Sequence, residues 1–146
     1  MHDTQNQKLV VVTSPAAILD NGSAVTNVID TKGFSYCDII AVVGATDIAM
    51  TALKVQESTQ SGGGFNDVSD TVFGAAGKPA LPVATDDNKA FHIGLDLRKR
   101  ERFLDVVATL GDGAAGGYIS IIAVLSRPSR SLDSATDRGF AGEILA

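Results

Sequence analysis

At 146 residues the chain has the size of one ordinary domain, and its 45% hydrophobic and 20% charged residues supply a core, which excludes disorder throughout. Its 12 Lys and Arg against 17 Asp and Glu leave a formal net charge of −5, the reverse of the basic surplus that a nonspecific grip on nucleic acid requires. A single cysteine, Cys37, permits no intrachain disulfide, so the fold rests on burial and backbone hydrogen bonds.

The chain opens Met1-His2-Asp3-Thr4-Gln5-Asn6-Gln7-Lys8, acidic and rich in amides, followed by the apolar run Leu9-Val10-Val11-Val12. That run is too short for a secretory core of about 7–15 residues or a membrane helix of about 20, so synthesis in a cytoplasm and no membrane partner are expected. Residues 1–15 read as an N-terminal arm, or residues 9–13 as an edge strand that Pro15 stops. Turn signals follow at Asp20-Asn21-Gly22 and Thr31-Lys32-Gly33, where Gly, Asn and Asp tolerate positive φ. Ile39-Ile40-Ala41-Val42-Val43 is a continuous apolar run suited to a strand covered on both faces, by a sandwich core or a subunit contact.

Residues 49–57 then alternate, with Leu53 and Val55 inward and Lys54 and Gln56 outward. Reversals are expected at Gly62-Gly63-Gly64, at residues 74–79 and at Asp86-Asp87-Asn88. Phe91-His92-Ile93-Gly94-Leu95-Asp96-Leu97 shows the cleanest period of two, with Phe91, Ile93, Leu95 and Leu97 on one face. After Gly111-Asp112-Gly113, residues 119–125 again form an apolar, β-branched run like residues 103–107 before it. No segment carries helical spacing over a dozen positions, so the prediction is all-β: an antiparallel two-sheet sandwich or jelly roll of about eight strands. The domain is expected to span residues 1–130, with a C-terminal arm at 131–146, where Leu132, Phe140, Ile144 and Leu145 have no strand period.

Catalytic and metal patterns are weak throughout. His2 lies beside the start of the chain, and His92 is about 13 Å along its strand from Asp96, too far for a direct hydrogen bond. No Gly-x-Ser-x-Gly elbow supports a nucleophile, so His92 reads as a surface histidine and the chain as no enzyme. Cys37 lacks a cysteine companion and reads as a small core residue; with the two histidines off ligand spacing, no metal or other cofactor is expected. The acidic turns lack an EF-hand pattern. Gly74-Ala75-Ala76-Gly77-Lys78 fails as a phosphate loop because its glycines are too close and Pro79 follows the lysine. Asn21-Gly22-Ser23 fits a glycosylation pattern that has no bearing without a secretory route.

Charge is unevenly placed. Residues 1–97 carry five Lys and eleven acidic residues, whereas residues 98–146 carry one Lys, six Arg and six acidic residues. Arg makes planar bidentate contacts and is favoured at interfaces, so the C-terminal third is the expected partner surface. Its densest part is Arg98-Lys99-Arg100-Glu101-Arg102, four cations that are expected to be either splayed into water or matched by acids on a partner. Arg98, Lys99, Arg100 and Arg102, with Arg127, Arg130, Arg138 and Phe140 further on, are the candidate contact residues.

Residues 88–109, where a strand ending Asp96-Leu97-Arg98 leads through basic residues to Phe103-Leu104-Asp105-Val106-Val107, resemble a pattern in small structural proteins from tailed-phage and prophage capsid regions. Leu53-Lys54-Val55-Gln56-Glu57-Ser58 with the following Gly-rich stretch and Phe65-Asn66-Asp67-Val68 is similar to the same group, as is Val124-Leu125-Ser126-Arg127. The resemblance covers roughly residues 25–130 and implies a jelly-roll capsid decoration, or cement, protein on the virion exterior. It implies that the major capsid protein is the partner, that the chain forms a dimer or trimer, and that its terminal arms reach to other subunits. Residues 131–146 lie outside it. The competing reading is a carbohydrate- or receptor-binding sandwich of a virion; the absence of Trp and the presence of only two Tyr argue against it, since sugar rings stack on aromatic faces.

Overall fold

The computed structural model describes residues 3–146, Asp3 by its backbone alone; the expectation for His2 lies outside the described residues. Eight strands, β1 (Gln7–Thr13), β2 (Ile29–Asp30), β3 (Phe34–Thr46), β4 (Ala52–Ser58), β5 (Asn66–Asp67), β6 (Lys89–Asp96), β7 (Phe103–Thr109) and β8 (Gly117–Pro128), make an all-β sandwich. One antiparallel sheet runs β1-β8-β3-β6 and the other β2-β7-β4-β5. Four of the ladders pair β1 with β8, β2 with β7, β3 with β6 and β4 with β5. The chain therefore runs out and back as one long double ribbon whose tip is the β4–β5 hairpin. The β3–β8 and β4–β7 ladders fasten the ribbon across itself. No helix among the described residues is long and apolar enough to cross a membrane.

Alternation in the sequence decides which side chains meet between the sheets. From the first sheet come Val12, Cys37, Ile39, Ala41, Val43, Ile93, Leu95, Ile119, Ile121, Ala123 and Leu125; from the second come Ile29, Leu53, Val55, Leu104, Val106 and Ala108. Each large aliphatic side chain so buried contributes about 1.5–3 kcal/mol relative to exposure. The predicted faces of β4 and β6 are those observed: Leu53 and Val55 are buried, as are Ile93 and Leu95, while His92, Gly94 and Asp96 face out. Cys37 is in the core, and burial pushes its thiol up to about 12.

The apolar runs in β3 and β8 differ from expectation on one side. Ile39, Ala41 and Val43 enter the core, but Ile40 is half-buried and Val42 is 44% exposed, and Ile122 and Val124 of β8 lie beside them half-buried. Nothing among the described residues covers this outer face.

Residues 9–13 and residues 132–140 are both tied to the sandwich. Residues 9–13 do form an edge strand, part of β1 paired to β8. The C-terminal segment, expected as an extended arm, instead folds back: Leu132 and Arg138 are buried, and the Leu9 N–H of β1 donates to the Arg138 carbonyl at 2.8 Å. Gly139 has φ +82°, and a Cβ there would collide with the Leu9 carbonyl, so only glycine lets the segment approach β1 this closely. Leu132 buries and Phe140 half-buries in a run of turns, in which Arg138 N–H donates to Ser134 O and Phe140 N–H to Ala135 O, while Ile144 and Leu145 stay exposed.

Candidate interaction surface

The basic run forms the corner between β6 and β7. β6 ends at Asp96, whose side chain accepts from the Arg98 backbone N–H and so starts the single 3-10 turn Leu97–Lys99. The turn buries Leu97 and aims Arg98 and Lys99 outward. Four cations are tolerated here because three are matched within the chain. Arg98 forks onto the Asp96 carboxylate, with Nε at 2.9 and 3.0 Å from its two oxygens. Arg100 reaches Glu57 Oε1 of β4 at 3.4 Å, while Glu57 Oε2 accepts the Glu101 N–H at 3.0 Å. Arg102 makes a bidentate pair with Asp30 of β2, both contacts at 2.8 Å, and lies over the Phe103 ring. Lys99 alone has no ion pair among the described residues. The expectation of a tip either solvated or matched by a partner's acids is thus corrected: chain neighbours neutralise most of it.

These pairs set the carboxyl acidities. Hydrogen bonding to Arg98 holds Asp96 down at about 2, and Arg102 holds Asp30 below the usual carboxylate value against a smaller opposing effect of burial. The guanidinium groups of Arg98 and Arg102 are correspondingly raised by Asp96 and Asp30. The Asp96-x-Arg98 spacing was a local signal for one pair. Glu57 and Asp30 had none, since sheet register alone brings them to Arg100 and Arg102.

The other candidates differ in placement: Tyr36 pairs with both Asp96 and Ser126, which sets Arg127 beside the basic corner. Arg127, in a left-handed conformation with φ 52°, stacks over the Tyr36 ring at 4.9 Å and stays exposed at the rim of the first sheet's outer face. Arg130 is exposed and sits 3.5 Å from Asp137. Arg138, expected as a contact residue, is buried: its guanidinium pairs with Glu143 and donates to the Leu132 carbonyl, holding the C-terminal segment together. Phe140 is half-buried in the same segment.

His92 Nε2 lies 2.7 Å from Asp38 Oδ1 on the neighbouring strand, both exposed on the outer face, rather than near Asp96. Among the described residues no three His, Cys, Asp or Glu side chains gather as a cation site.

A cleft of about 810 Å³ opens along β6, bounded by residues 68–73 and by Lys78 and Pro79 on one side and by residues 98–100 at one end. It gives solvent access to the free edge of β6. A scan against protein-family models found no match, and a search of curated proteins found none.

Proposed function

We propose that this chain is a virion structural protein that decorates the outside of an icosahedral phage capsid and stabilises it by bridging major capsid protein subunits. The observation that carries the reading is the outer face of the β1-β8-β3-β6 sheet. In register across it lie Val11, Ile122 and Ile40, flanked by Leu9, Val124 and Val42, with Val11 46% and Val42 44% exposed. An apolar face of this kind, rimmed by polar residues, is the mark of a protein contact. The out-and-back ribbon, strand pairing with strand from the two ends inward, supports the jelly-roll winding that the resemblance of residues 25–130 implies. Tyr36, with Arg127 stacked on it, edges the same face and supplies the polar rim.

A decoration subunit acts by mass action: it binds the assembled lattice and not its dissociated parts, worth about 2.7 kcal/mol per site at a hundredfold excess over Kd. Oligomers that engage several capsid subunits gain avidity without a large interface at each. The test is to mix purified protein with expanded heads. Co-sedimentation and a raised head melting temperature are expected, both lost in Val42→Asp/Ile122→Asp protein; failure to bind heads, or binding indifferent to those changes, refutes the reading.

A further inference from the structure

A β-sandwich has sheet edges to protect, and in this chain three of the four are closed. β2 and β5 are two residues long, and the edge of β4 beyond β5 is taken up by Val68 N–H donating to Val55 O and Phe73 N–H to Leu53 O. β1 is broken by a register shift between Val11 and Thr13, capped by Arg138 at Leu9, and met again by Asn27, whose backbone and side-chain amides reach Val12 O and Val11 O. These are the ordinary devices against unwanted strand pairing. β6 has none of them. Its eight residues pair with β3 in unbroken register, contain no proline, and make no backbone hydrogen bond on the other side among the described residues, where the cleft leaves them open to approach.

The charges at the two ends of β6 are opposite. Asp86-Asp87-Asn88 precedes the strand, and Arg98-Lys99-Arg100 follows it. An antiparallel neighbour with the same polarity of charge would set acid against base at both ends. A second copy of β6 is such a neighbour. The pleat then limits the register to odd opposite odd, because residues directly opposite one another must point to the same face and the inward residues here are the odd-numbered ones, and the charges choose among the registers left. Pairing Ile93 with Ile93 on the two-fold axis satisfies this. It sets Phe91 opposite Leu95 on the core side, His92 opposite Gly94 on the outer side, and Lys99, the one unpaired cation of the corner, level with Asp87 of the other copy.

We propose that β6 is a self-pairing edge through which two copies of this chain join antiparallel about a two-fold axis at Ile93, continuing the β1-β8-β3-β6 sheet into eight strands. The contact is isologous and closes at two copies. It also sets the two apolar outer faces on one sheet, with the outward His92, Gly94 and Asp96 of both β6 strands between them. The inference rests on the free edge and its charges, not on the capsid reading, and head binding and self-association are measured separately.

The test is sedimentation equilibrium on the full chain, with hydrogen exchange read at single amides. A monomer–dimer equilibrium is expected, with the alternate β6 amides that face away from β3 protected in proportion to the dimer. Lys99→Asp places like charges at both ends of the contact and is expected to weaken dimerisation at least about tenfold while leaving the melting temperature of the monomer unchanged. For register, protein with His92→Cys is mixed with protein carrying Gly94→Cys. Opposite residues lie within the roughly 4.4–6.8 Å Cα separation a disulfide needs, and diagonal ones at about 7–8 Å do not, so the mixture is expected to cross-link and either variant alone is not. Cys37 is buried and stays out of this reaction. A chain that remains monomeric, one that forms trimers, or a dimer insensitive to Lys99→Asp with unprotected β6 amides would each overturn the proposal.

Discussion

Replacing Gly139 by alanine sets the packing of the C-terminal segment against the conformational rule that glycine evades. At φ +82° an alanine pays roughly 1–2 kcal/mol, and its Cβ would occupy the space of the Leu9 carbonyl oxygen. The segment must withdraw from β1, and the 2.8 Å hydrogen bond from Leu9 N–H to Arg138 O goes with it, a further loss of about 1 kcal/mol. A total of about 2–3 kcal/mol falls on the docking of residues 131–140 at the edge of β1 rather than on the packing between the sheets. Exchange of the Leu9 amide is therefore expected to quicken by about 30-fold or more, at 1.4 kcal/mol per factor of ten, and trypsin to cut after Arg138 much faster than in the parent. Global unfolding in urea should shift less than the local opening. Gly142→Ala is the control, because a Cβ there meets nothing within 4 Å and φ is not in the left-handed region. Equal Leu9 protection in the parent and Gly139→Ala proteins would refute the reasoning.

Other outcomes follow from the core and the carboxylates. Leu104→Ala, at a side chain with no exposure, is expected to cost about 2–5 kcal/mol in urea titration with an unchanged m-value; a loss below 1 kcal/mol would mean the two sheets are not packed through it. Asp30, Asp47 and Asp96 are all held below the usual carboxylate value in the fold, Asp47 chiefly by the backbone N–H of Ala115, with Ala114 and Gly116 adding to it. A lowered folded-state value means stability present above the unfolded value near 4 and lost as pH falls through the folded one. The melting temperature should hold from pH 7 to 5 and drop between about 4 and 2, and Asp47→Asn should quicken amide exchange at Ala114 and Ala115 at neutral pH. Cys37 should resist an aromatic disulfide reagent at pH 8 in native protein and react at once in urea, since burial both hides the thiol and disfavours its thiolate.

What could be read in advance was whatever depends on neighbours in the chain. The inward faces of β4 and β6 were legible because side chains alternate along any strand, and turns at Gly33 and Asn88 were legible because those residues reach positive φ, as both do. The Arg98–Asp96 pair was within reach for the same reason, two residues apart on one turn. The mates of Arg100 and Arg102 were not, because Glu57 and Asp30 lie 43 and 72 residues away and only the β4–β7 and β2–β7 registers deliver them. Nor was the fate of the C-terminal segment: Arg138 looks like any solvent-facing arginine until Glu143 and the β1 edge close around it.

Period and composition, acting over a few residues, determined that this chain is all-β and which side of each strand is wet. Only the tertiary structure decided which strands are neighbours, and with that which charges cancel, which edge is left open and which apolar face is left bare. The reason is that hydrogen-bonding capacity is the same along every strand, so pairing is chosen by the whole ribbon wrapping on its core and not by any segment alone.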